Sequence, residues 1–270
     1  MGQKTDLNVS PYHDDFDESD NFHRVLYRPG FAVQARELTT QQSILQNQIE
    51  RMGRHIFKEG AIVIPGEIGF IDEYYAVKLQ STFNGVSITS NASSYVDTII
   101  TGTTSGVKAQ VIGQTAADST DPLTLFVKYI KPSDTDQETQ TFTDGENIKS
   151  DAAIGTASIN QESAVLQASN ATATGSASYV NAGVYFIRGH FVRSTTQRIV
   201  LDKYTNTPSY RIGFTITENL TTPEGDTSLL DNATGSSNVN AKGAHRLNYT
   251  LTLDKLSLNS TADTNFVELM

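Results

Sequence analysis

The stretch Ala32-Val-Gln-Ala-Arg-Glu-Leu-Thr-Thr-Gln-Gln-Ser-Ile-Leu-Gln-Asn-Gln-Ile-Glu-Arg-Met-Gly-Arg-His-Ile-Phe57 contains no proline, and its one glycine, Gly53, lies near the end. Within it Leu38, Leu45, Ile49, Met52 and Ile56 follow one another at intervals of seven, four, three and four residues. That spacing puts them on one stripe of an α-helix, in the register of the a and d positions of a heptad. Thr39, with Gln42 three residues on, has the form of a capping box, so the regular helix is predicted from Thr40 to Phe57, about 27 Å at about 1.5 Å per residue. Arg51, Arg54, His55 and Lys58 gather at its C-terminal end, where cations complement the helix dipole. The stripe has two readings. It packs on a sheet of its own chain, or it meets the same helix in neighbouring copies as a short coiled coil, with Gln42 at an a position fixing register at a cost in stability.

Outward from this helix the chain reads as strands and turns. Ala61–Ile64 is a short apolar run stopped by Pro65-Gly66, and Tyr74–Leu79 is another. Residues 81–120 are dilute in Ser, Thr, Gly and Ala, with a half-buried pattern at Val107, Ala109 and Val111. Leu123, Leu125, Val127 and Tyr129 alternate with Thr124, Phe126, Lys128 and Ile130, which suits a strand that is buried on both faces or pairs inside the small subdomain. Asp144-Gly145 has hairpin-turn chemistry. A second β block is predicted from near Tyr179, with Arg188-Gly189 as the turn of a hairpin. Strictly alternating strands follow at Tyr210–Thr217 and Leu247–Leu253, separated by a loop over about 219–244. A faint likeness between the segments starting at Ala61 and Gly183 reads as two ordinary hairpins rather than a repeat. The predicted fold is mainly β with one long α-helix near the N-terminus, antiparallel and β-sandwich-like, α+β overall. Three regions are expected: 1–80 as arm, helix and first strands for docking and oligomerisation; 81–175 as a small inserted β subdomain; and 176–270 as an antiparallel β domain.

Residues 1–32 are irregular but too apolar for a free tail. Tyr12, Phe16, Phe22, Val25, Leu26, Tyr27 and Phe31 surround an acidic cluster of Asp14, Asp15, Asp17, Glu18 and Asp20. The arm is expected to lie extended across a surface and to end at the Arg28-Pro29-Gly30 turn. Tyr12, Phe16, Phe22, Tyr27 and Phe31 are the candidate partner-docking residues.

Thirty acidic and twenty basic residues give a formal charge of −10 over 270 residues. A nucleic-acid grip or attraction to an anionic membrane needs the opposite sign. With no cysteine there is no disulfide framework, thiol nucleophile or thiolate metal site. The opening residues are polar, so neither a signal peptide nor a membrane span is expected. No nucleophile elbow or phosphate loop occurs. The five histidines, His13, His23, His55, His190 and His245, lack metal-ligand spacing. Asp15-x-Asp17-x-Ser19 opens like a calcium loop, but Asp20 stands where glycine is needed and Leu26 where a glutamate is needed. The plainer reading is a solvated acidic segment docked on Arg24, Arg28 or the helix-end cations. No catalytic residue, cofactor or metal is expected, and the chain is read as a non-enzyme.

Three stretches carry a resemblance. They are Asn8-Val-Ser-Pro-Tyr-His-Asp-Asp-Phe-Asp17, the long run Phe22–Ile49, and Tyr204-Thr-Asn-Thr-Pro-Ser-Tyr-Arg-Ile-Gly213 together with Leu229-Leu-Asp-Asn-Ala-Thr-Gly-Ser-Ser-Asn238. Together they resemble the N-terminal part of an uncharacterised structural-protein family of tailed bacteriophages, described as baseplate or tail-fibre proteins. The resemblance implies a virion component of the tail baseplate or tail-fibre attachment region. Such a component is assembled in the host cytoplasm, contacts other tail proteins and contributes to host attachment. Relatives are often longer, which would place further domains after this region. A homo-oligomer is expected, a trimer first and a dimer second, with contact to a host-surface glycan at most indirect. Two alternatives belong to other classes: a glycan-binding adhesin module using the 219–244 loop, and a tail-associated polysaccharide hydrolase with converging carboxylates.

Overall fold

In a computed structural model of the chain the described residues are 2–134, 136–261 and 263–270. They form a mainly β protein of antiparallel sheets with one long helix near the N-terminus, which is the α+β class that the patterns predict. The chain divides into two compact units. One comprises the chain up to Ile68, Tyr179–Arg198 and Tyr210–Met270; the other comprises Gly69–Ser178 and Ile199–Ser209. The segment predicted as 81–175 falls within the second unit, which also takes in strands on both of its flanks.

The helix of the first unit runs Ala35–Ile56 and begins five residues before the predicted start. Its N-terminus is closed by Glu37, whose Oε2 accepts the Gln34 amide at 2.9 Å. The Thr39/Gln42 pair lies inside the helix, where the Thr39 hydroxyl bonds the Ala35 carbonyl. Glutamine is a weak N-cap, so the carboxylate at the third helical position marks the start.

Beside the helix, Ile62–Ile64, Gly183–Ile187 and His190–Ser194 form a three-stranded sheet. Ile187 pairs with His190 across Arg188-Gly189. Both turn residues have positive φ, 49° and 83°, as a type I′ hairpin requires. The Ala61 segment does not form the second hairpin expected of it. Its strand pairs with the Gly183 strand instead, Ile62 opposite Tyr185.

A second three-stranded sheet has Tyr210–Thr221 in the middle, flanked by Arg246–Ser257 and Phe266–Glu268. The predicted alternation is seen directly: Phe214 faces Leu253 and Ile216 faces Leu251, all four buried. A Cβ on Gly213 would lie 2.0 Å from the Val267 carbonyl oxygen, so only glycine lets the last strand approach. The ladder continues to Thr221 opposite Arg246, so the loop starts after Thr221 and not at Asn219. Within it Leu230 and Lys242 form a bridge, and the Gly243 amide bonds the Leu229 carbonyl at 2.9 Å.

The second unit is built on an eight-stranded sheet. Its spatial order is Gln197–Asp202, Thr172–Val180, Ile68–Lys78, Thr124–Lys131, Lys108–Thr115, Ile99–Gly102, Asn147–Ser150 and Glu162–Val165. The strand predicted at Tyr74 starts six residues earlier, at Ile68. Val107, Ala109 and Val111 are buried while Lys108, Gln110 and Ile112 between them are not, which is the half-buried alternation that the pattern predicts. Leu125 and Val127 join a large core with Val77, Ile100 and Ile148, while Phe126 turns to the opposite face with Tyr74, Ala76 and Ala177. The strand is therefore buried on both faces over its first half, as its composition predicts. Asp144-Gly145 is a turn but joins no pair of strands. Asp144 instead accepts the Asn170 and Ala171 amides at 2.9 and 2.8 Å.

The central polar group of this unit is Glu146, only 4% exposed. Its two oxygens accept the amides of Thr104, Ser105 and Thr143 and the Ser105 hydroxyl, at 2.7 to 3.0 Å. One carboxylate thereby gathers two loops that the sheet leaves without partners.

Candidate functional site

The helix circumference is shared among three environments. On one side Gly53 lies under Phe186, so close that a Cβ would meet its ring at 2.4 Å, and the Gln46 side chain donates to the Gly189 carbonyl at 2.9 Å. On the adjoining side the N-terminal arm covers Ile44, which is buried. Arm and helix are fastened by polar contacts. Asp14 accepts the Thr40 and Ser43 hydroxyls at 3.0 and 2.5 Å, Asp15 pairs with Arg36 at 2.8 Å, and Glu18 pairs with Arg51. The acidic cluster is thus docked on Arg36 and on one of the helix-end cations, not on Arg24 or Arg28.

The remaining third of the circumference is left open. Leu38, Leu45, Ile49, Met52 and Ile56 are 47 to 68% exposed. Among the described residues no sheet covers the stripe, so the first of its two sequence readings fails.

The five arm residues expected to dock a partner separate into two groups. Tyr12 is half-buried, its hydroxyl 2.6 Å from His245 Nδ1 and the two rings edge to face at 5.7 Å. Phe16 is half-buried and lines a narrow crevice with Ile44, Asn47 and Arg51 that has room for about 10 Å³. These two are engaged within the chain. Phe22, Tyr27 and Phe31 are exposed. Tyr27 donates to Gln41 Oε1 at 2.9 Å, and the Arg28 guanidinium sits 4.2 Å over the Phe31 ring. Leu26 and Val33, which sequence reasoning did not single out as docking residues, are also exposed. Only exposure separates them from the buried apolar residues, and exposure leaves no mark in a single sequence. With the helix stripe they give this unit a large apolar surface of the kind that marks interaction sites.

The start of the arm is held by a buried ion pair. Arg188 and Glu218 side chains are 4% and 6% exposed and bonded to each other. Glu218 also accepts the Lys4 amide at 3.0 Å and the Thr5 amide and hydroxyl at 2.7 and 2.6 Å. Arg188 donates further to Asn265 Oδ1 at 2.8 Å, and its own amide to Glu59 at 2.6 Å. Burial alone would raise the Glu218 pKa. The hydrogen bonds from Thr5, the Lys4 amide and Arg188 outweigh it and hold the carboxyl below its ordinary 4.5. A depressed carboxylate contributes stability that is fully present above its unfolded value and is lost as pH falls through the folded one. The Thr5 amide resonance, followed by NMR, is therefore expected to titrate with a midpoint below pH 4.5. A midpoint at or above that value would contradict this assignment.

His190 bonds the Arg188 carbonyl at 3.0 Å and packs against Tyr249, whose hydroxyl burial drives upward in pKa. Among the described residues no group of three or more His, Asp or Glu could hold a metal ion, and no helix is long and apolar enough to cross a membrane. In the second unit a crevice of about 230 Å³ is lined by Phe83, Asn84, Asn91, Gln161 and Glu162, among others.

A family model described as a domain of unknown function (DUF4815) matches residues 10–125. The matched stretch contains the arm from Ser10 onward, the helix and the first strands of the second unit, and most of two of the three stretches behind the phage resemblance. The third, at 204–238, lies outside it. No curated protein and no solved structure matches the chain.

Proposed function

We propose that the chain is a structural component of a bacteriophage virion, an adaptor in the tail baseplate or tail-fibre attachment region that is assembled in the host cytoplasm and serves host adsorption. The phage setting rests on the resemblance of residues 8–17, 22–49, 204–213 and 229–238. The observation that carries the adaptor role is the open apolar front of the first unit: Phe22, Leu26, Tyr27, Phe31 and Val33 on the arm, beside the helix stripe. Apolar groups held on a fastened arm are pre-organised, so little ordering entropy is lost when another tail protein covers them.

Deleting residues 1–32 is a poor test of this role. The deletion would also remove Asp14 from Thr40 and Ser43, and Lys4 and Thr5 from Glu218. The paired substitution Phe22→Ser and Phe31→Ser removes exposed side chains and leaves those contacts in place. The wild-type chain is expected in purified particles by mass spectrometry. The double variant is expected to fold normally and to be depleted from particles by about tenfold or more, as for loss of two interface anchors. Incorporation of the variant at the wild-type level would overturn the proposal.

A second reading, glycan binding, has one feature in its favour. The crevice of the second unit is lined by Asn84, Asn91 and Gln161 together with Phe83, a mix of amide and aromatic groups suited to a neutral polyhydroxylated ligand. This reading rests on the crevice residues and not on the loop following Thr221. A glycan array with no hits, or hits unchanged by Asn91→Ala, would remove this reading.

A further inference from the structure

The occupant of the helix stripe can be argued from the stripe itself. Its heptad register puts Gln42, Ile49 and Ile56 at a positions and Leu38, Leu45 and Met52 at d positions. The flanking positions on the open side are Gln41, Gln48 and His55, all exposed and none with a formal charge at pH 7. The charged side chains of the helix, Arg36, Glu37, Glu50, Arg51 and Arg54, all lie off the stripe. Several are tied down elsewhere, Arg36 to Asp15, Arg51 to Glu18, and Arg54 to Glu50. A chain of formal charge −10 thus offers one helical face on which two identical copies meet without like-charge repulsion.

Gln42 decides the orientation. It is the single polar residue on the apolar seam. An amide carries both a donor and an acceptor, so Gln42 in one copy can satisfy Gln42 in another only when the helices run parallel and in register. An antiparallel pair would set it against aliphatic side chains and leave it unpaired on burial. β-Branched Ile at a, with Leu or Met, which are not branched at Cβ, at d, favours two strands over three.

We propose that the helix Ala35–Ile56 pairs with the same helix of a second copy of this chain, parallel and in register, through Leu38, Leu45, Ile49, Met52 and Ile56. The inference rests on reading the front of this unit as an assembly surface, but the two are tested apart. Sedimentation of the purified full chain is expected to give twice the 29.4 kDa monomer mass. Ile49→Glu with Met52→Glu is expected to weaken association on the order of 100-fold and to leave the near-ultraviolet circular dichroism of the sheets unchanged. Because the chain has no cysteine, Gln42→Cys gives an unambiguous crosslink. It is expected to join two copies on oxidation, whereas Arg54→Cys, off the seam, does not. A wild-type monomer at micromolar concentration, an oligomer that the double variant leaves intact, or equal crosslinking through Arg54→Cys would overturn the pairing. A monomer that still enters particles through Phe22 and Phe31 would overturn the pairing and leave the adaptor role standing.

Discussion

Replacing Glu146 with alanine is expected to lower the stability of the second unit by about 3–5 kcal/mol, the range for breaking a buried, hydrogen-bonded charge site. The wild-type carboxylate satisfies four donors, the amides of Thr104, Ser105 and Thr143 and the Ser105 hydroxyl. Alanine orphans those donors, of which the Ser105 amide and hydroxyl are buried, and each buried orphaned donor costs about 1–3 kcal/mol. Neighbouring backbone cannot collapse into the space without moving strands. A Cβ on Gly102 would already lie 2.5 Å from Glu146 Oε2. Glu146→Gln is expected to cost less, since one acceptor oxygen remains while the new NH₂ faces donors. Urea unfolding followed by tyrosine fluorescence measures both variants, because the chain has no tryptophan and Tyr95 is buried in this core. An unchanged midpoint for Glu146→Ala would mean that water replaces the carboxylate at no cost.

Arg188→Met is expected to destabilise the first unit by a similar about 3–5 kcal/mol, because it leaves the Glu218 carboxylate buried without its cation. The consequence extends to the arm, whose Lys4 and Thr5 amides depend on the same carboxylate. Pairing Arg188→Met with Glu218→Gln removes the orphaned charge and is expected to recover part of the loss, giving a non-additive double-mutant cycle. Thermal unfolding of the two single variants and the double variant gives the coupling directly. Strict additivity would show that the pair contributes nothing as a pair.

Some features were plain in the sequence for identifiable reasons. The helix was legible because its apolar spacing has only one compatible period. The Arg188-Gly189 hairpin was legible because a two-residue turn between alternating strands admits few conformations, and the Tyr210 and Leu247 strands because each buries one face. The helix start was not, because Thr39 and Gln42 imitate a cap while the real closure joins Glu37 to Gln34. The eight-stranded sheet was also hidden. Its partners are distant in sequence, and the Thr172–Val180 strand buries Ser176 and Ser178 rather than large apolar groups. The candidate surface was half legible. An amphipathic stripe looks the same whether its cover is its own sheet or another chain, and Tyr12 and Phe16 look no different from Phe22 and Phe31 until Tyr12 is seen bonded to His245 and Phe16 half-buried where the other two are exposed.

The proposed adaptor role requires the exposed arm residues to be covered by another polypeptide in the assembled tail. A cryo-electron map of the intact particle at side-chain resolution tests this most directly. The adaptor role predicts Phe22, Leu26 and Phe31 enclosed against a second chain; density showing those three side chains surrounded by solvent would contradict it.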